Sequence, residues 1–211
     1  MSNDIFLASR NLGKLREIRQ VLGDLPVRVA GLDECGDIEP PAETGCTFAE
    51  NARSKALYYA RATGHWCLAD DSGLEVDALG GQPGVLSARY AADQCPQGAS
   101  REETDRANNA KLLAALAGVT DDRRTARFVC HLALAGAEGV LVETFGTLEG
   151  RIARAPAGHN GFGYDPIFFL PELACTVAQL TAEQKNLISH RGKAVRQFKE
   201  LLRDFFSQGR G

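Results

Sequence analysis

This sequence predicts an α/β protein built on a mixed β-sheet, and three observations lead there. A short apolar run at Ile5 to Ala8 leads into a stretch whose apolar residues recur at helical spacing. Two capping boxes, Thr47 with Glu50 and Ser100 with Glu103, open further helices. An alternating segment at Thr125 to Ala135 is followed, after a glycine-containing turn, by a run that can return beside it as in an antiparallel hairpin.

The elements follow in chain order. Ile5 to Ala8 is a buried strand, and Leu12 to Leu22 a helix with Leu15, Ile18 and Leu22 on one face. Pro26 to Leu32 is a second strand, followed by a loop of acids and prolines from Asp33 to Gly45. The helix opened by Thr47 should run to about Ala62, ahead of Gly64. Cys67 to Ala69 is a short strand that leads into Asp70-Asp71-Ser72-Gly73, with Leu74 to Leu79 a separate strand. Gly80 to Gly84 is a turn, and the helix from Ser100 ends near Gly118. In the strand from Thr125, Phe128, Cys130, Leu132 and Leu134 share one face while Arg127, Val129 and His131 share the other, as in a half-buried strand; Val140 to Leu148 is its partner. After a glycine-rich loop at Gly158 to Gly163, an amphipathic helix carrying Val195, Phe198, Leu202 and Phe205 ends the chain.

Composition narrows the function classes. With 211 residues the chain is sized for a single domain of two lobes around one core. A net charge of -3 gives no global attraction for nucleic acid, so an anionic ligand needs a local cation cluster. The six cysteines contain no Cys-x-x-Cys pair, which argues against a zinc site of that kind and for reduced thiols packed mostly as small apolar groups. Asp4, Arg10 and Lys14 interrupt any apolar start, and no apolar run approaches membrane-spanning length. The cytoplasm is the expected compartment, with no membrane partner and no direct nucleic-acid partner.

Five constellations carry chemistry. Ser9-Arg10-Asn11-Leu12-Gly13-Lys14 sits where a strand turns into a helix, where unpaired backbone N–H groups suit an anion and Lys14 can reach a phosphate. The same residues also read as a capped helix start with a surface lysine. Asp70-Asp71-Ser72-Gly73 places two carboxylates at a strand end, which is costly without a balancing cation. Mg²⁺ suits it, since one or two carboxylates plus substrate phosphates complete its shell; an Asp-rich turn is the other reading. Glu39 or Glu43 can supply a second ligand. Asn51 and Lys55 lie one turn apart on a helix, where Lys55 can meet a phosphate or a site acid. Gly161-Phe162-Gly163-Tyr164-Asp165-Pro166 offers close backbone approach, rings to stack on a base and an acceptor at Asp165; at least one ring reads better as core. Lys185 with Ser189-His190-Arg191-Gly192, near the start of the last helix, adds donors.

Taken together and in this order, these segments resemble the Ham1-type inosine triphosphate pyrophosphatases. The resemblance runs through Ser9 to Lys14, Phe48 to Ala52, Ala69 to Asp77, Gly80 to Tyr90, Gly161 to Phe168 and Ser189 to Gly192, nearly the whole chain. It implies a long central mixed sheet flanked by helices, two lobes around a substrate cleft, and a homodimer. It implies hydrolysis of non-standard purine nucleoside triphosphates, those of inosine and xanthosine, to the monophosphate and pyrophosphate with Mg²⁺. Phosphate contacts are implied at Ser9, Arg10, Asn11, Leu12, Gly13 and Lys14, and a catalytic acid at Asp71. Substrate contacts are implied at Ser72, Phe162, Gly163, Tyr164, Asp165, Lys185, His190 and Arg191. Arg10 departs from the small or amide residue common in the family, and Ala42-Glu43 stands where many members have two adjacent acids; the second metal ligand beside Asp71 is placed at Glu43, with Glu39 and Asp70 as the alternatives.

In the mechanism this implies, water attacks the α-phosphorus, Asp71 or a water it holds takes the proton, and Lys14, Lys55 and Lys185 are candidates to balance the triphosphate. Two alternatives are a Maf-like pyrophosphatase acting on pyrimidine nucleotides and a nucleotide-binding sensor without turnover. The glycine-rich and His-Arg blocks argue against the first, and the paired acids against the second.

Overall fold

The computed structural model describes residues 4–9 and 12–207. Arg10 and Asn11 lie outside the described residues. The strands are β1 (Asp4–Leu7), β2 (Arg28–Gly31), β3 (Trp66–Val76), β4 (Thr125–Gly136), β5 (Gly139–Ile152), β6 (Phe168–Leu170) and β7 (Cys175–Thr176). The helices are α1 (Leu12–Leu22), α2 (Phe48–Thr63), α3 (Arg101–Ala115), α4 (Ala182–Ile188) and α5 (His190–Ser207). The strands form a sheet in the order β2-β1-β3-β4-β5-β6-β7. β1 pairs in parallel with β2 and β3, whereas β5–β6 and β6–β7 are antiparallel, so the sheet is mixed as the sequence predicts.

The chain divides into two compact units. The first holds residues up to Asp71, Cys130–Gly146 and the stretch from His190; the second holds Ser72–Val129 and Thr147–Ser189. β3, β4 and β5 each contribute residues to both.

In the first unit β1 to β4 are covered on both faces, which explains why they read as nearly continuous apolar runs, whereas β5 alternates, with Val142 and Thr144 buried and Leu141, Glu143 and Phe145 exposed. Side chains alternate along each strand. Ile5 and Leu7 of β1, Val29 of β2, Leu68 of β3 and Cys130, Leu132 and Leu134 of β4 meet α1 and α5 through Leu15, Ile18, Leu22, Val195, Phe198 and Leu202. The intervening Phe6, Ala30, Cys67, Ala69, Ala133 and Ala135 meet α2 through Ala52, Ala56, Tyr59 and Ala60. Each fully buried Leu or Ile contributes about 1.5–3 kcal/mol. β4 is therefore not the half-buried strand its alternation suggests: its second face has no charged residue after His131 and is closed by alanines under α2.

Both predicted capping boxes form. Thr47 accepts from the Glu50 N–H while the Glu50 carboxylate accepts from Thr47, and α2 ends at Gly64 in the left-handed conformation. Ser100 and Glu103 repeat the arrangement on α3. A third box, Thr181 with Gln184, starts α4 and separates Lys185 from the last helix. α5 lies close on β5 because residue 146 is glycine: a Cβ there would stand 2.3 Å from the His190 carbonyl oxygen.

One expected break is absent. Asp70-Asp71-Ser72-Gly73 forms no turn, and a single strand runs through it from Trp66 to Val76. The reason is electrostatic. Asp70, 1% exposed, is neutralised by Lys14 and by Arg191, so its carboxylate is tolerated within the strand.

The second unit is centred on Leu74, Val76, Leu112, Leu116, Phe128, Leu148, Tyr164 and Phe168. Buried Arg124 ties its edges together by donating to the carbonyls of Leu116, Ile152 and Ala153 at 2.7, 2.7 and 2.9 Å. The six cysteines are free thiols, of which only Cys67 and Cys130 are buried, fewer than the sequence suggests.

Candidate active site

The strand geometry of β3 sends the two adjacent acids to opposite faces. Asp70 shares the face of Leu68 and meets α1 and α5. There Lys14 of α1 donates to its Oδ1, and Arg191 of α5 donates to its Oδ2 at 2.7 Å. The same guanidinium reaches Glu17 at 2.8 Å. Burial works against the Arg191 charge, but Asp70 beside it holds its pKa above the ordinary arginine value.

Asp71 shares the face of Cys67 and Ala69 and meets α2. Lys55 lies 3.5 Å from its Oδ1 and 2.6 Å from Glu43 Oε1, so one ammonium serves two carboxylates. Asn51, one turn before Lys55, hydrogen-bonds Asp71 while its Oδ1 accepts from the Gly45 N–H at 2.8 Å. Burial pushes the Asp71 carboxyl above the usual carboxylate range; Lys55 pulls it down and Glu43 pushes it up again. Burial also works against the Lys55 ammonium, but Asp71 and Glu43 hold its pKa above the ordinary lysine value. Asp71 Oδ2 is buried and has no hydrogen-bond partner among the described residues.

This arrangement fits a magnesium ion. Two carboxylates share one ammonium, and one of them carries a buried oxygen with no partner among the described residues, an all-oxygen donor set of the kind Mg²⁺ takes. Among the described residues no three His, Cys, Asp or Glu gather as a metal cluster. Two carboxylates are enough for Mg²⁺, whose shell usually takes in waters and substrate phosphates. Lys55 joins Glu43 to Asp71, and Asp70 is already engaged by Lys14 and Arg191, so Glu43 is the acid that stands as a candidate beside Asp71.

In the first unit Ser9 follows β1, partly buried, and lines a cavity of about 620 Å³ with Leu15, Asp33, Asp37 and Ile38. Leu12 and Gly13 open α1. His190 opens α5 and is 8% exposed.

In the second unit the glycine-rich loop forms a closed hydrogen-bonded group. Asp165 Oδ2 accepts from the Phe162 N–H at 2.9 Å and from Lys185 Nζ at 2.6 Å. The Lys185 ammonium also lies 4.4 Å from the centroid of the Phe162 ring. Gly161 makes this possible: its φ is +81°, and a Cβ there would stand 2.0 Å from Asp165 Oδ2. Phe162 is partly exposed on the wall of a cavity of about 1170 Å³.

Two expected contacts need correction. Tyr164 is the core ring of the pair: it is 5% exposed, and its hydroxyl donates to the Ser87 carbonyl at 2.9 Å. Arg191 is 3% exposed and divided between Asp70 and Glu17, so it holds site acids in place and is not an open donor fork. The three lysines assigned to the triphosphate each face an acid: Lys14 meets Asp70, Lys55 meets Glu43 and Asp71, and Lys185 meets Asp165. The sequence block of Lys185, His190 and Arg191 is divided, with Lys185 in the second unit and the other two in the first. Ser72 is partly buried and opens the second unit's share of β3.

Sequence reasoning missed two residues beside the loop, Asp105 and Asn109. Asp105 accepts from the Gly163 N–H at 2.8 Å and Asn109 donates to the Gly163 carbonyl at 3.0 Å. Their i,i+4 spacing on one helix face was the available signal.

Comparison with known proteins gives a consistent picture. The Ham1 family model matches residues 5–201. A dITP/XTP pyrophosphatase of Nitratidesulfovibrio vulgaris is 50% identical over 202 residues, covering 96% of this chain and 97% of that protein. One of Exiguobacterium sibiricum is 46% identical, covering 97% and 99%. Among solved structures, a HAM1 protein from Coxiella burnetii superposes with a TM-score of 0.86 at 42% identity, covering 97% of this chain and all of that one. A nucleoside-triphosphatase / dITP/XTP pyrophosphatase from Mycobacterium abscessus gives 0.75 at 45% identity, covering 92% and 98%.

Proposed function

The chain belongs to the Ham1 family, and from that premise we propose that it is a nucleoside-triphosphate pyrophosphatase acting on non-standard purine nucleotides. The substrates are the inosine and xanthosine triphosphates and their deoxy forms, and the products are the monophosphate and pyrophosphate. Cleansing the nucleotide pool in this way keeps deaminated purines out of DNA and RNA. Curated relatives named dITP/XTP pyrophosphatase, at 46–50% identity over nearly the whole chain, support this reading.

The observation that carries the chemistry is the Glu43–Lys55–Asp71 group, in which Asp71 Oδ2 has no partner among the described residues. Glu43 and Asp71 would hold Mg²⁺, which supplies charge neutralisation at the phosphate oxygens. Asp71, its basicity raised by burial, takes the proton of the water that attacks the α-phosphorus. Lys55 and Lys14 can turn from their acids to phosphate oxygens as the negative charge arrives. The backbone N–H groups at the start of α1, with Ser9 and Lys14, suit the phosphate chain.

The loop of the second unit suits the base. Phe162 offers a ring to stack on, and Lys185 offers a donor to the purine O6. Asp165 can accept from the N1–H that inosine and xanthosine carry. Arg191 acts through Asp70.

A homodimer and a cytoplasmic location belong to the same proposal. No helix of the described residues is long and apolar enough to cross a membrane. Sedimentation of the purified chain tests the dimer. The activity is tested by incubating the protein with Mg²⁺ and a panel of triphosphates and resolving the products. Inosine monophosphate with pyrophosphate is the expected outcome; inosine diphosphate with orthophosphate overturns the proposal.

A further inference from the structure

α3 contributes two side chains that grip a single residue of the glycine-rich loop. Asp105 and Asn109, one helical turn apart, hold the N–H and the carbonyl of Gly163. That N–H belongs to the peptide joining Gly163 to Phe162, and that carbonyl to the peptide joining it to Tyr164. Fixing both fixes the direction in which the chain leaves Gly163 on either side. Gly163 needs such fixing, because its φ of +63° belongs to a residue with two wide basins open to it.

The neighbouring side chains of α3 do different work. Asn108 accepts from the Ala91 N–H at 2.7 Å and donates to the Ser87 carbonyl, while Lys111 donates to the Tyr90 carbonyl at 2.8 Å. These hold the 84–93 segment. Asp105 and Asn109 instead hydrogen-bond Gly163, and both line the same cavity as Phe162. Asn109 is 8% exposed, and its Oδ1 has no partner among the described residues, so its amide is turned toward Gly163 at the cost of its own acceptor.

We propose that Asp105 and Asn109 are specificity-determining positioning residues, which set base discrimination by holding the Gly163 peptides in one geometry. The inference rests on the reading of Phe162, Asp165 and Lys185 as the base site. Neither residue contacts the base. Their effect passes through the bonds of Phe162 N–H and Lys185 Nζ to Asp165, which keep their geometry only while the chain through Gly163 is held. A displacement of about 1 Å in such a group is enough to cost up to roughly 10²-fold.

The test is kcat/KM for inosine and adenosine triphosphates with Asp105→Ala, Asn109→Leu and Asp105→Asn. The two deletions are expected to lower the inosine preference by about 10-fold or more, through a higher KM for inosine triphosphate with kcat within about twofold. Asp105→Asn keeps an acceptor for the Gly163 N–H and is expected to retain the preference. Should either deletion fail to fold, Asn109→Asp carries the test, because it sets a carboxylate against the Gly163 carbonyl and is expected to lose the preference. Equal loss for both nucleotides, with the preference intact, overturns the proposal and makes the pair structural. Asp165→Asn runs in parallel. If it abolishes the preference and the α3 variants do not, the positioning role fails alone; if it leaves the preference unchanged, the base-site reading fails first.

Discussion

Asp70 and Asp71 are joined by one peptide bond and point to opposite faces of β3, Asp70 into the pair formed by Lys14 and Arg191, Asp71 toward Lys55 and Asn51. The first is a buried, doubly paired charge, and the second a half-buried charge with one oxygen that has no partner among the described residues. The same substitution at the two positions should therefore act in opposite ways.

Asp71→Asn should lower turnover by roughly 10²-fold or more, as the loss of a proton acceptor and metal ligand requires. Folding should be unharmed, because burial disfavours the Asp71 charge when no cation balances it. Thermal melting in chelator, beside steady-state kinetics in Mg²⁺, checks both halves. A large drop in melting temperature with activity retained makes Asp71 structural.

Asp70→Asn should cost about 3–5 kcal/mol, the scale for breaking a buried ion pair and stranding its partner. Here the charge that loses a partner is Arg191, whose side chain is 4% exposed and keeps Glu17 alone of the two acids. Urea unfolding measures it. An unchanged midpoint would remove the account given for the uninterrupted β3.

Glu43→Gln should raise the Mg²⁺ concentration needed for half-maximal activity by roughly 10-fold or more, within the range for perturbing a metal site. Glu39→Gln should leave it unchanged, since it is Glu43 that Lys55 joins to Asp71. Titration of activity against Mg²⁺ separates the two, and activity that persists undiminished in excess chelator would contradict the metal assignment altogether.

The base pocket should reject adenosine triphosphate strongly and guanosine triphosphate weakly. Adenine reverses the donor and acceptor at C6 and N1, and leaving buried polar groups unpaired discriminates by roughly 10⁴ in favourable cases. Guanine shares O6 and N1–H, so only its 2-amino group can count against it. Relative kcat/KM for the four purine triphosphates is the measurement, and parity between adenosine and inosine would refute the pocket.

Cys67 should resist alkylation until the protein unfolds. Burial pushes its thiol up to about 11, so at pH 8 the thiolate fraction is roughly 10⁻³. Raising the pH toward that value increases the fraction, whereas lowering it does the reverse. Exposed Cys46 should label first with iodoacetamide, as peptide mapping would show.

The sequence by itself determined the elements whose signals are local. Thr47 with Glu50 and Ser100 with Glu103 cap their helices through bonds spanning three residues, and Leu15, Ile18 and Leu22 mark a helix face by spacing alone. The family, and with it the acids and the glycine-rich loop as candidates, was also legible, because those blocks are contiguous in the chain. Tertiary structure decided what each candidate touches. Asp70-Asp71-Ser72-Gly73 has the composition of a turn, and Lys14 and Arg191, 56 and 121 residues away from Asp70, balance the carboxylate that the strand buries there. Which of Phe162 and Tyr164 is core depends on the Ser87 carbonyl, 77 residues from Tyr164. The grip of Asp105 and Asn109 on Gly163 spans 58 and 54 residues. A charge or a hydrogen bond acts through space, so its partner is fixed only when the sheet and helices bring distant segments together.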